Sequence, residues 1–298
     1  MHERDVISDE AWAVIEPLLP RAQGRSRPWL DHRMVVEGIA WRFRTGSPWR
    51  DLPERFGPWN TVFKRFDRWA KDGTWQLILT AVQARSDQLG KLDWVVSIDS
   101  TITRVHQHGA TLARDTGARS NYKILGPEPP DHAIGRSRGG LTSKIHLVAD
   151  GRGRPLSMLL TAGNINDTTM LADTIDLIRV PAAGRGRPRS RPERVLADKG
   201  YPSRANRSYL ASRGIKATIP DRADQRQNRA NKGSAGGRPT EFDAEIYKGR
   251  NVVERSFNRL KNWRGIAMRS DKTARNYQAG VTLAATLIWL NTDLFNTT

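Results

Sequence analysis

The hydrophobic pattern changes its period once, at Asp93. Before it, apolar residues recur at helical spacing, as in Trp12, Ile15 and Leu19 or Val62, Phe63, Phe66 and Trp69. After it, short β-branched runs such as Val95-Val96-Ser97-Ile98 alternate with helix-like stretches. This single switch predicts a small all-helical domain over 1–92, followed by an α/β domain over 93–298 with a mixed sheet flanked by helices. A chain of 298 residues suits two such units, at about 100–200 residues each. In the first, Ser8 and Asp31 are N-cap candidates, and helices are expected over Asp9–Leu19, Asp31 to about Arg44, Trp59–Lys71 and Thr74–Leu89. In the second, strands are expected at 95–98, 144–149, 156–161, 194–197 and 216–219, with a hairpin turn at Asp150-Gly151-Arg152-Gly153. Helices are expected at 167–178, 203–213, 243–263 and 277–294. Flexible basic loops fill 101–143, 181–193 and 221–240.

Composition narrows the function. There is no cysteine, which removes disulfides, thiolate nucleophiles, Fe–S clusters and Cys-bound zinc. The longest apolar run, Ala279 to Leu290, falls short of the ~20 residues of a membrane span and carries Thr282 and Thr286. The polar opening, MHERDVISDE, does not read as a signal peptide. A cytoplasmic protein without membrane partners is the expectation. The 49 Lys and Arg against 31 Asp and Glu give a net charge of +18. Residues 1–92 hold 15 basic and 12 acidic residues, so the excess sits in the larger C-terminal part. Such a field favours polyanions, nucleic acid first. In the helical part, a helix-turn-helix reading has the Asp51–Phe56 turn and the Asn60–Arg68 helix present Lys64, Arg65 and Arg68 to DNA. The plainer reading is a solvated helix face. The Arg-rich segment 185–194, with Arg222, Arg226 and Arg229, reads equally as DNA-backbone contacts or as solvated linkers.

Three carboxylates stand out. Asp99 and Asp198 each end a predicted strand, where a buried carboxylate needs a cation, a donor or a turn amide. Either alone reads as a turn or cap residue. Two on separate strands suggest a shared site for hard Mg²⁺. Glu254 sits on the predicted helix 243–263. With Glu254 at 0° and about 100° per residue, Tyr247 falls near +20°, Arg250 near −40° and Lys261 near −20°. Ile246, Val253, Phe257 and Leu260 form an adjacent apolar stripe. A polar row beside a buried stripe suits a metal carboxylate flanked by phosphate-binding cations, and equally a solvated ion-pair face.

At these residues the chain resembles the DDE transposases of bacterial insertion sequences. The group's helix signature is Tyr, two residues, Arg, three residues, Glu, six residues, Lys, met here by Tyr247, Arg250, Glu254 and Lys261. Asp99-Ser100-Thr101, Ala197-Asp198-Lys199-Gly200-Tyr201 and Gly163-Asn164-Ile165-Asn166-Asp167 also look like the family, as do Trp49-Arg50-Asp51-Leu52-Pro53 and Gly57-Pro58-Trp59. The resemblance covers nearly the whole chain. It implies a ribonuclease H-like catalytic domain behind a helical one. It implies that Asp99, Asp198 and Glu254 hold two Mg²⁺ ions, with Mn²⁺ able to substitute. One ion activates the attacking water or 3′-hydroxyl, and the other stabilises the leaving oxygen. Tyr247, Arg250 and Lys261 then contact DNA near the cut. The implied partners are double-stranded DNA, as inverted-repeat ends and as target, and further copies of the chain, as a homodimer or higher assembly on DNA. The enzyme is then bacterial, cytoplasmic and nucleoid-associated when bound. The rival readings are a metal-dependent nuclease of the same fold without strand transfer, and a catalytically inert DNA-binding regulator. His106 and His108 follow Asp99 closely and read as ordinary loop residues, with a metal role as the alternative; Asp150 reads as a turn residue and Asp167 as an N-cap.

Overall fold

A computed structural model describes residues 7–21, 29–111, 132–182, 184–236 and 239–293. Four helices open the chain: α1 (Asp9–Ile15), α2 (His32–Thr45), α3 (Trp59–Lys71) and α4 (Thr74–Gln88). Ser8 Oγ accepts the Ala11 N–H, and Asp31 Oδ1 accepts the Met34 N–H at 2.8 Å, so both predicted N-caps are made. Gly46 closes α2 with φ of 74°, a conformation that favours glycine.

The sheet follows. Its strands are β1 (Val95–Val105), β2 (Gly135–Ser137), β3 (Gly140–Ala149), β4 (Pro155–Ala162), β5 (Arg194–Ala197), β6 (Lys216–Thr218) and the two-residue β7 (Met268–Arg269). The helices among and after them are α5 (Leu171–Asp176), α6 (Arg204–Ser212), α7 (Ala223–Asn231), α8 (Ala244–Tyr247), α9 (Val252–Lys261), α10 (Arg264–Ala267) and α11 (Ala274–Asp293). β1 is central. β3 runs antiparallel to it and β4 antiparallel to β3, while β5 and then β6 continue in parallel on the other side. This antiparallel meander followed by two parallel strands, with helices packed on it, is a ribonuclease H-like mixed sheet. Burial follows from it. β3 is buried along nearly its whole length, because β1 and β4 flank it and helices cover it.

One hydrophobic cluster joins the helices to the sheet, from Phe66 and Trp69 through Val96, Ile98 and Leu147 to Trp289. Polar contacts follow the same seam. Gln83 Nε2 donates to the carbonyls of Pro155 and Leu156, and Trp289 Nε1 donates to Pro155 at 2.6 Å. Arg42 of α2 pairs with Asp271 at 3.0 Å, both nearly fully buried.

Three expectations need correction. β1 extends to Val105 and β3 begins at Gly140, so much of the described part of 101–143 is strand; residues 112–131 lie outside the described residues. Within 221–240, α7 replaces a loop. Its Ala, Gln and Arg residues favour helix without any apolar stripe to announce it. The expected helix 243–263 is broken by a 3₁₀ turn over Lys248–Asn251, where Gly249 and Asn251 are weak helix formers.

Candidate active site

Asp99 and Asp198 are brought together by strand register. β1 and β5 pair in parallel up to Ile98 and Ala197, so the next residue on each strand is the carboxylate. Both sit half-buried where the two strands part. Asp99 Oδ1 accepts the Ser100 N–H and Asp198 Oδ1 accepts the Gly200 N–H, each at 2.7 Å. Glu254 comes from the first turn of α9, whose Val253, Phe257 and Leu260 are buried against the sheet. Arg250 links the two elements. One arm of its guanidinium lies 2.6 Å from Glu254 and the other 3.4 Å from Asp99. Burial opposes the charge on Arg250, but the Glu254 carboxylate outweighs it and keeps the guanidinium pKa above its ordinary value.

Burial pushes the Asp99 carboxyl up to about 6, and the nearby Asp198 and Asp167 charges add to the rise against the Ser100 N–H and Arg250. Asp167 is the residue that sequence reasoning misplaced. The N-cap of its turn is Asn166, whose Oδ1 accepts the Thr168 N–H. Asp167 instead pairs with the buried Lys144 at 2.9 Å and approaches His146 at 3.8 Å. Its turn is tied to the Asp198 loop, because Thr168 Oγ1 donates to the Gly200 carbonyl and Asn206 Nδ2 to Thr168 at 2.9 Å. The available signal was the Asn166-Asp167 pair, of which only one can cap. Tyr201, also unassigned from sequence, is buried there. Burial, then the Asp99, Asp167 and Asp198 charges, push its phenol pKa upward.

The remaining predicted residues divide. Tyr247 packs against Phe242, with ring centroids 5.2 Å apart and the planes tilted by 57°, and the Arg250 guanidinium lies 5.9 Å from the Tyr247 ring, so Tyr247, Arg250 and Glu254 form one chain of contacts. They do so despite the 3₁₀ turn, which adds about 20° per residue to the helical phase. Lys261 lies apart, its Nζ donating to the Ile102 carbonyl at 3.0 Å, and burial lowers its pKa. In the helical region Lys64 and Arg68 are exposed, but Arg65 is not. Its guanidinium stacks on Trp29 at 4.2 Å and bonds His32 Nδ1 at 3.1 Å, so the expectation that α3 presents it outward is corrected. Trp29 and Trp69 give that planar cation an apolar, aromatic seat. His106 and His108 meet edge to face, with ring centroids 4.6 Å apart, beyond the end of β1 and about 23 Å along the strand from Asp99.

Two family models match the chain. One, described as "Transposase DDE domain", covers residues 90–289, two-thirds of the chain. The other, described as "Putative transposase of IS4/5 family", covers residues 7–79. The chain belongs to the DDE transposases. Among its relatives is the "Putative transposase for insertion sequence element IS402" of Burkholderia cepacia, 38% identical over 167 residues, or 56% of this chain and 69% of that one. The "Putative transposase for insertion sequence element IS6501" of Brucella ovis is 31% identical over 150 residues, or 50% of this chain and 99% of that one. A pre-cleavage Mos1 transpososome matches over 90% of this chain and 80% of its own at 12% identity, with a TM-score of 0.25.

The family implies divalent-metal chemistry. In kind and charge the donors suit it: they are oxygen-only and anionic. In spacing, among the described residues no three Asp, Glu or His side chains converge closely enough to grip an ion as they stand. Arg250, lying against both Asp99 and Glu254, takes up the position between them. No helix among the described residues is long and apolar enough to cross a membrane.

Proposed function

We propose that Asp99, Asp198 and Glu254 are the catalytic, metal-holding carboxylates of this transposase, with Mg²⁺ as the working ion and Mn²⁺ able to substitute. In this reading the enzyme binds the ends of its own element as a homodimer or higher assembly. It cleaves them and joins the freed 3′-hydroxyls to target DNA. The observation that carries the reading is Arg250, which ties Asp99 to Glu254 across more than 150 positions of chain, beside Asp198 on the adjoining strand.

When bound, a divalent ion lowers the pKa of the attacking water or hydroxyl and neutralises charge on the leaving oxygen. The chain's own groups do the rest. Arg250 exchanges its Glu254 contact for a phosphate oxygen of the DNA, where its planar fork matches the anion. Tyr247 packs beside it and presents a ring to the end nucleotides. Lys261 holds a phosphate further along β1, within reach of Ile102. The Lys144–Asp167 pair and the buried Tyr201 fix the loop that carries Asp198.

The test is incubation of the protein and Mg²⁺ with supercoiled plasmid carrying the DNA that flanks its gene, followed by sequencing of product ends. Joined 3′ ends are expected. Asp99→Ala, Asp198→Ala and Glu254→Ala should each lower cleavage by about 100-fold or more, with end binding largely intact. Cleavage without joining points to a nuclease, and bound but intact DNA to a regulator. Full cleavage by one variant removes that residue from the site.

A further inference from the structure

The carboxylates lie at one end of β5, and a second charged feature lies at the other. A cleft of about 750 Å³ opens beside the first residues of β5 and β6, lined by Arg187, Arg191, Arg194 and Lys216 with the Arg189–Glu193 pair. Register joins these strand starts, Val95 pairing with Arg194 and Arg194 with Lys216.

This is a built surface. Val180 and Arg189 exchange two backbone hydrogen bonds, at 2.9 and 2.8 Å. The Arg189 guanidinium lies 3.9 Å above Trp94 and pairs with Glu193 at 3.1 Å. Arg213 Nη2 reaches the Ser190 carbonyl at 3.3 Å. These contacts fold the 185–194 segment back onto the sheet and use up Glu193, the only acid among the described residues that line the cleft. The other four cations have no carboxylate partner among the described residues. Arg194 is steadied by Thr218 Oγ1 at 2.7 Å, while Arg187, Arg191 and Lys216 are exposed. Four like charges gathered on a pinned frame gain nothing from one another. Their use lies in a ligand that brings several negative charges at once.

We infer that this cleft is a second DNA-backbone site, which takes a run of phosphodiesters away from the bond being cut. Arginine forks match phosphate oxygens, and the cleft's lining is mainly charged and polar rather than apolar, which disfavours a folded protein partner. The inference rests on the proposed reading of the protein as a DNA-binding transposase. β5 separates the cleft from Asp198 by four residues, about 13 Å. That is about four base pairs of duplex rise. The same duplex can therefore fill both sites, or a second duplex can take the cleft.

The test uses the full-length protein with Arg187→Gln, Arg191→Gln and Lys216→Gln combined. A control removes three other exposed cations, with Arg44→Gln, Arg85→Gln and Arg138→Gln. Matched melting temperatures verify that both variants are folded. Fluorescence anisotropy over a salt series gives the slope of log K against log salt. The cleft variant should show a slope shallower by about 2 to 3, at ~0.9 per lost phosphate contact, and weaker binding than the control. Arg187→Lys with Arg191→Lys should retain most of the affinity. Loss on a single labelled end duplex places the cut DNA in the cleft. Loss only when a labelled second duplex is added to a preformed end complex places the second duplex there. Equal effects of the cleft and control variants, or none from either, overturn the inference. A wild-type protein that binds no duplex at all overturns the transposase reading instead.

Discussion

Asp99 and His146 titrate in opposite directions within a few residues of the same site. Asp99 carries a folded pKa of about 6 against an ordinary 3.8. The folded state therefore holds its proton more tightly than the unfolded chain, and the stability this gives below about pH 4 is lost as pH rises to about 6. Burial, helped by Lys144 and opposed by Asp167, lowers His146 to about 4 from 6.5. Its neutral, buried form makes stability fall as pH drops from about 6.5 to about 4. Each slope is at most about 1.4 kcal/mol per pH unit, and they oppose each other over nearly the same window. Wild-type stability in chelator should therefore vary little from these two groups between pH 4 and 6. Asp99→Asn keeps the shape of the protonated carboxyl and removes one slope. Urea unfolding of that variant should show stability rising with pH, and a protein about 1–3 kcal/mol more stable than wild type at pH 7.5. A variant less stable than wild type at that pH contradicts the raised pKa.

At the scale of elements, the sequence was legible wherever local chemistry decided. Strand 194–197, the caps Ser8 and Asp31, and the turn at Asp150 are all present, because alternation, capping and turn signals are local. It was not legible where partners were distant. β1 runs seven residues past its apolar core because β3 and β7 pair with its polar half. α7 has no buried side and so no periodic signal. The same holds at the proposed site. Asp99, Asp198 and Glu254 are its candidates from strand ends and a family signature. Asp167 and Tyr201 acquire their setting only when β3, the 166–170 turn and the 198–201 loop meet. Two junctions between elements give direct tests. A Cβ added at Gly280 of α11 would collide with the Phe43 ring of α2, so Gly280→Ala should cost about 1–3 kcal/mol by overpacking, read as a fall in urea midpoint at constant m-value. Asp150 and Arg154 are fully buried and paired at the β3–β4 turn, and Arg154 also reaches the Lys91 carbonyl and stacks 4.0 Å above Trp289. Asp150→Ala strands that guanidinium without its counter-charge, which should cost about 3–5 kcal/mol.

For the whole molecule, the question is whether the helical region and the sheet behave as two bodies. The change of period at Asp93 suggested a boundary there, and the two family matches also divide near it, at residues 79 and 90. The packing joins what the sequence divides. Gln83 of α4 donates to the carbonyls of the first two residues of β4, Arg154 at the β3–β4 turn reaches the Lys91 carbonyl, and the Arg42–Asp271 pair is buried between α2 and the approach to α11. Removing residues 1–92 would expose the α11 face that α3 and α4 cover and leave Asp271 without its arginine. Independent unfolding of either part would carry those costs, so the chain should unfold in one transition. The distribution of tryptophan makes this measurable. Seven of the ten lie within residues 1–75, whereas the strands lie beyond residue 94. Tryptophan emission therefore reports mainly the helical region, and far-UV circular dichroism reports the whole chain. In urea the two curves should coincide in midpoint and slope. An emission transition at clearly lower urea would mean that the helices come away from an intact sheet, and that the shared core contributes little to holding them.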